Sequence, residues 1–326
     1  MRVGPAEPRK LVEFGAHLPL IDFDGVGWTH AQLAQFARTA DELGYTFLCA
    51  NDHLLFARPW LDGLSALAAV AGASGGMTLA TTVALPAVRG PATLAKTLAT
   101  IDVISEGRLV VGVGPGSSAR DHESVGLDFA ERWDRLDESI GALRAFLHDG
   151  APPQRGAFYR TDGFELEPRS PQAPGPPIWV GSWGSKPGIR RVAKLADGWL
   201  ASGYNTTPER FAAGLAQLER ELVERGRDPS SFPNGLATLW TYVTDDRAAA
   251  DRILDSVLSP LVGRGLEELR RLALPIGTPE TCAERLAAFA EAGVQRMFLW
   301  PLANPMEQLE RFQARVAPML HQAIGC

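Results

Sequence analysis

The stretch from Thr78 to Ser117, TLATTVALPAVRGPATLAKTLATIDVISEGRLVVGVGPGS, holds one complete strand–helix–strand unit and ends in glycines. It constrains the fold more than any other feature, because parallel strands need a crossover between them and repeated crossovers build an α/β sheet. Thr78–Leu85 is β-branched and apolar without clear alternation, as expected of a parallel strand covered on both faces. After Pro91, which suits a first helical turn, Leu94, Leu98, Ile101 and Ile104 recur at spacings of three and four and predict a helix that ends by Gly107. Arg108–Val113 is the second strand. Gly112, Gly114 and Gly116 then leave a loop with little side chain, which either admits a ligand to the backbone or merely turns a tight corner.

A glycine loop after a strand invites comparison with the dinucleotide fingerprint, G-x-G-x-x-G running directly into a helix. The pattern fails here: the third glycine position falls on Ser117, Pro115 sits inside the loop, and Ser117–Gly126 reads as too polar and irregular to open a helix.

Strand and helix alternate along the rest of the chain. Val12–Pro19 is a first strand, and Thr29 caps a helix from His30 to Leu43. Tyr45–Ala50 is a second strand ending in Asn51-Asp52-His53, followed by a helix over Leu61–Ala73. Glu131–Leu147 is a long amphipathic helix with Trp133, Leu136, Ile140, Leu143 and Leu147 on one face. Between Asp149 and Pro177 the composition shifts to Pro, Gly and Arg, with short alternating pieces at Phe158–Arg160 and Phe164–Glu167 that predict an inserted surface hairpin. Pro177–Gly181 restarts the pattern as a fifth strand. The loop Gly181-Ser182-Trp183-Gly184-Ser185 precedes the helix Lys186–Ala196, where free N–H groups and the helix dipole suit a phosphate, or where Ser simply caps a turn. Gly198–Ala201, Leu236–Val243 and Val294–Trp300 complete eight strands, with helices at Pro208–Gly226, Asp246–Leu258, Pro279–Ala292 and Pro305–Ile324.

Eight strands tied to helices predict one (β/α)8 TIM barrel spanning residues 1–326 as a single domain, with residues 149–177 inserted between strands 4 and 5. Its functional face lies at the C-terminal ends of the strands, which brings Asn51–His53, Thr82–Pro86, Gly112–Ser117 and Gly181–Ser185 to one mouth. Of the six histidines, His53 alone follows a strand directly in a polar triplet, beside Asp52, and suits acid/base or electrostatic work; His17, inside the first strand, is a second rim candidate. The net charge of −6, with basic residues scattered, points away from nucleic acid and anionic membrane and toward a small-molecule substrate. Cys49, Cys282 and Cys326 show no metal-ligand spacing, and MRVGPAEPRK lacks the apolar core of an export signal, so no metal and a reduced cytoplasm are expected. The most apolar segment, Leu64–Ala73, is too short to span a bilayer.

These motifs together resemble the luciferase-like superfamily of flavin- and deazaflavin-dependent oxidoreductases, especially the branch that uses coenzyme F420. The carriers are Asn51-Asp52-His53, TTVALPAVRGP with Arg89 and Pro91, SEGRLVVGVGPGS, AERWDRLDE at Ala130–Glu138, and IWVGSWGS followed by LADGW at Leu195–Trp199. The resemblance implies an F420-dependent hydride transfer, with an FMN-dependent, O2-using monooxygenase and a non-catalytic flavin-binding barrel as alternatives. It implies catalytic roles for His53 and Asp52, with Asp52 also contacting the cofactor, and a non-prolyl cis peptide at Thr82-Val83 behind the cofactor ring. Gly114, Pro115, Gly116 and Ser117, with Gly181, Ser182, Trp183, Gly184 and Ser185, would hold the ribityl chain and phosphate. It also implies a homodimer. Where the family's sugar-phosphate dehydrogenases carry a proton-handling glutamate after the glycine loop, this chain has Ser117. Pro59-Trp60 matches the family's aromatic over the cofactor only with altered spacing from His53.

Overall fold

The structure is a computed structural model that describes residues 12–23 and 25–325; Cys326 and the run MRVGPAEPRK lie outside the described residues. Its strands are β1 (Glu13–His17), β2 (Phe47–Ala50), β3 (Thr78–Thr81), β4 (Leu109–Val113), β5 (Ile178–Gly181), β6 (Gly198–Ser202), β7 (Asn234–Val243), β8 (Ile276–Gly277) and β9 (Arg296–Pro301). Seven consecutive parallel strands, β1 to β7, pair in order, and β9 closes the ring between β7 and β1. This is the TIM barrel that the alternation predicts. The two-residue β8, absent from the sequence reading, pairs with Tyr242 and Val243 at the end of β7.

Side chains alternate between two apolar environments. Phe47 and Cys49 of β2 join Ala80, Trp179, Leu200, Ala237 and Phe298 inside the ring, while Leu48 and Ala50 pack outward beneath the helices. Because both faces are buried, the strands carry no polar alternation. Helix starts are set by side-chain caps: Thr29 and Gln32 form a capping box, and Asp62, Ser185, Thr207 and Thr278 each accept a backbone N–H of the first turn. No helix among the described residues is long and apolar enough to cross a membrane.

Three sequence-based expectations change. Ser117–Gly126 does contain a helix, Ala119–Ser124, because Ser118 accepts the Asp121 N–H and so nucleates a turn that apolar periodicity cannot reveal. The strand expected over Thr78–Leu85 stops at Thr81; the Thr82-Val83 peptide is cis and pairing resumes as a single bridge between Ala84 and Val113. The hairpin expected near residues 158–167 reduces to one antiparallel bridge, Arg155 to Arg160. That segment is instead fastened by helix side chains: the Glu138 carboxylate accepts the N–H groups of Ala157, Phe158 and Tyr159 at 2.8–3.1 Å, and Asp102 accepts from Gln172 Nε2 at 2.8 Å. Its tip, Phe158–Thr161, lies beside Gly90–Thr93 on the outside of the barrel.

The narrowest fit in the ring is between β3 and β4. Thr81 Oγ1 donates to the Gly112 carbonyl at 2.6 Å, and a Cβ on Gly112 would overlap the Thr81 carbonyl oxygen and lie 2.7 Å from a Leu200 methyl. Backbone cannot yield as a flexible side chain does, so Gly112→Ala is expected to cost about 1–3 kcal/mol in urea unfolding. An unchanged unfolding midpoint would show that the two strands part more easily than this contact implies.

Candidate functional site at the C-terminal mouth

The loops after β2, β3, β4 and β5 lie side by side at the C-terminal end of the ring, and the polar side chains fixed there link one to the next. Asp52, 4% exposed, accepts the Leu85 N–H at 3.1 Å and a two-pronged ion pair from Arg89, with Nε at 2.7 Å and Nη2 at 2.6 Å. Arg89 also reaches Asp62, so one guanidinium ties the loop after β2 to the start of the next helix. The Asp52 carboxylate is thus largely spent within the protein, and its visible work is to hold the β3 loop.

His53 is placed differently. Its Nδ1 lies 2.8 Å from Asp121 Oδ2, while Asp121 Oδ1 accepts the Leu55 N–H at 2.8 Å. Burial acts to raise the Asp121 carboxyl, but the His53 and backbone hydrogen bonds outweigh it and hold the group below the ordinary carboxylate value. The imidazole keeps 18% of its surface exposed and packs edge-on to Trp60 with centroids 4.9 Å apart, and beside Phe56 at 5.2 Å. Sequence reading missed Asp121 because it took Ser117–Gly126 as too polar and irregular for a helix, whereas Ser118 caps one there.

Trp60 begins a chain of aromatic rings across the rim. It meets Trp300 edge-on at 5.4 Å; Trp300 stacks on Trp240 at 4.3 Å and on His17 at 3.4 Å. His17 is fully buried, donates from Nδ1 to the Leu18 carbonyl at 2.8 Å, and has its pKa lowered to about 3 by burial, so it is neutral. Its Nε2 and the indole N–H groups of Trp60, Trp240 and Trp300 are buried without a partner. Four such ring nitrogens in one cluster are unusual in a native interior. The C-terminal strand residues Trp240 and Trp300 escaped the sequence reading because apolar strand residues read as core.

The glycine loops divide into two kinds. Gly114 and Gly181 make room for Val83: a Cβ at either would lie 2.7 Å and 3.3 Å, respectively, from its methyls. Half-buried Val83 therefore sits on a floor of backbone, next to Thr82, whose hydroxyl donates to Asn51 Oδ1 at 3.0 Å. Pro115, Gly116 and Ser117 continue to the surface, with Gly116 at φ 78°. In the second loop Ser182 is buried and accepts the Gly184 N–H, Ser185 caps the following helix, and Trp183 is 59% exposed. Among the described residues no group of three or more His, Cys, Asp or Glu side chains is arranged to hold a metal ion. Cys49 lies inside the ring with its thiol pKa pushed far up by burial, which leaves it inert.

Known proteins resemble this chain in sequence or in fold. The chain is 29% identical over 241 residues to an F420-dependent hydroxymycolic acid dehydrogenase of Mycobacterium tuberculosis, covering 69% of this chain and 64% of that one, just under two thirds of its length. It is 29% identical over 327 residues to an F420-dependent glucose-6-phosphate dehydrogenase of Nakamurella multipartita, covering 90% and 94%. The crystal structure of monooxygenase RslO1 from Streptomyces bottropensis has the same fold, with a TM-score of 0.80 at 20% identity over 94% of this chain and 99% of that one. The family model described as luciferase-like monooxygenase matches residues 24–265, well over half of the chain, and the protein therefore belongs to that family.

Proposed function

We propose that the protein is an oxidoreductase that binds coenzyme F420 at the C-terminal mouth and exchanges hydride with a small organic substrate. The observation that carries the reading is the placement of His53, paired to a buried carboxylate, on the same rim as Val83 raised on Gly114 and Gly181. The half-buried aliphatic floor of Val83, without competing side chains at Gly114 and Gly181, suits one face of a flat ring. Such a floor fits a deazaflavin and a flavin alike. The choice of F420 draws on the two dehydrogenase relatives, and both are named for that cofactor.

F420, when bound, supplies the hydride chemistry at C5 of its deazaflavin. The protein supplies the rest. Val83 and Thr82 would support the ring; Gly114, Pro115, Gly116 and Ser117, with Gly181, Ser182, Trp183, Gly184 and Ser185, would hold its chain and phosphate. Ser182 and the N–H groups at the start of the Lys186–Leu195 helix offer donors to that phosphate. His53 would stabilise charge on the reacting group or move a proton at Nε2. Asp52, saturated by Arg89 and the Leu85 N–H, acts in this reading by fixing the loop that carries Val83. Closely packed aromatic rings exclude water from the rim and strengthen each of these interactions.

An FMN-dependent monooxygenase is the second reading, favoured by the family's own description. Titration of the purified protein with F420 and with FMN, followed by fluorescence, is expected to show saturable binding with F420 the tighter ligand. Tighter FMN binding together with substrate-coupled oxygen consumption would replace the first reading by the second; failure to bind either would remove both. In a screen of carbonyl compounds and redox dyes followed at the F420 absorbance, His53→Ala is expected to lower turnover by roughly 10²-fold or more with F420 affinity unchanged. Wild-type turnover in that variant would exclude His53 from the chemistry. A protein that binds F420 but reduces no acceptor would be a binding barrel without activity.

A further inference from the structure

Asp121, in the short helix Ala119–Ser124 that follows β4, meets His53 on the segment that follows β2. We infer that Asp121 is a positioning residue: it holds the proton of neutral His53 on Nδ1 and leaves Nε2 as the nitrogen presented to the mouth. The inference builds on the reading of His53 as the residue that faces the reacting atoms.

The geometry is specific. Asp121 is 1% exposed and its two oxygens have separate tasks, Oδ2 to His53 Nδ1 and Oδ1 to the Leu55 N–H, each at 2.8 Å. An ionised carboxylate can only accept, so the ring nitrogen facing it must carry hydrogen. The Leu55 contact matters as much as the ring contact, because Leu55 lies two residues beyond His53 and its N–H locks the carboxylate to the backbone that bears the imidazole. Asp121 is itself fixed by the Ser118 hydroxyl, which accepts the Asp121 N–H at 3.2 Å. Phe56 and Trp60 pack against the ring and restrict its rotation. The free imidazole side chain in water favours the opposite tautomer, with hydrogen on Nε2; the buried anion reverses that preference. The consequence is chemical: neutral His53 offers a lone pair to a hydroxyl hydrogen, and the imidazolium returns that hydrogen to a carbonyl oxygen, both at Nε2.

Nitrogen-15 correlation spectra of the histidine-labelled protein, recorded at alkaline pH, test this without a substrate. The expected wild-type pattern has a protonated Nδ1 and a bare Nε2; Asp121→Asn is expected to shift the population toward the Nε2-protonated form. F420 affinity should be unchanged, and turnover in any reaction found by the acceptor screen should fall roughly 10²-fold. A wild-type His53 with its proton on Nε2, or a D121N spectrum matching the wild type, would overturn the inference. The wild-type spectrum decides the matter even if D121N does not accumulate as folded protein. Should the spectra agree with expectation while His53→Ala keeps full turnover, the assignment of His53 to the reacting face fails and the tautomer control by Asp121 stands.

Discussion

The mouth of this barrel depends on a buried ion pair. Asp52, removed from water, would be a severe penalty alone; Arg89 compensates it with two parallel hydrogen bonds, and the Leu85 N–H adds a third. Because these partners come from the loop after β3, the pair sets where that loop crosses the ring. Everything at the site follows from that crossing: the height of Val83, the bridge between Ala84 and Val113, and the need for Gly114 and Gly181 beneath. An arginine is suited to this because its planar fork matches a carboxylate and keeps its charge when half-buried.

Much of the fold was legible because parallel strands and their crossovers leave strong local signals. Leu94, Leu98 and Ile101 are buried in the helix their spacing predicted, and all eight ring strands fall where the apolar runs lie. The losses have physical reasons. Polar helices such as Ala119–Ser124 are specified by a cap and by tertiary contacts rather than by periodicity, and β3 stops at Thr81 although its apolar, β-branched run continues, with pairing resumed only at the Ala84–Val113 bridge. The inserted segment reads as alternating but is held by Glu138 and Asp102, carboxylates on helices distant in sequence that local pattern cannot connect to it.

For the candidate site, sequence foretold which segments meet and said less about how they connect. His53, Thr82, Val83 and both glycine loops come together at one end of the ring. What sequence could not supply was who touches whom: that Asp121 rather than Asp52 is the partner of His53, that Arg89 occupies Asp52, and that two of the glycines expected to face a ligand face Val83 instead. The stacking of Trp240 on Trp300 belongs to the same class of omission, since sequence shows two apolar strand residues but not that β7 and β9 bring their rings together.

His17 and His53 sit on one rim yet live in different electrical worlds. His17, sealed between Trp300 and the backbone, has its pKa lowered by burial to about 3 and so behaves as a flat, uncharged spacer in the interior. His53 faces an anion and touches solvent. Two residues of identical chemistry are thus sorted by their surroundings, one walled into an apolar interior and the other tethered to an anion at the edge of water.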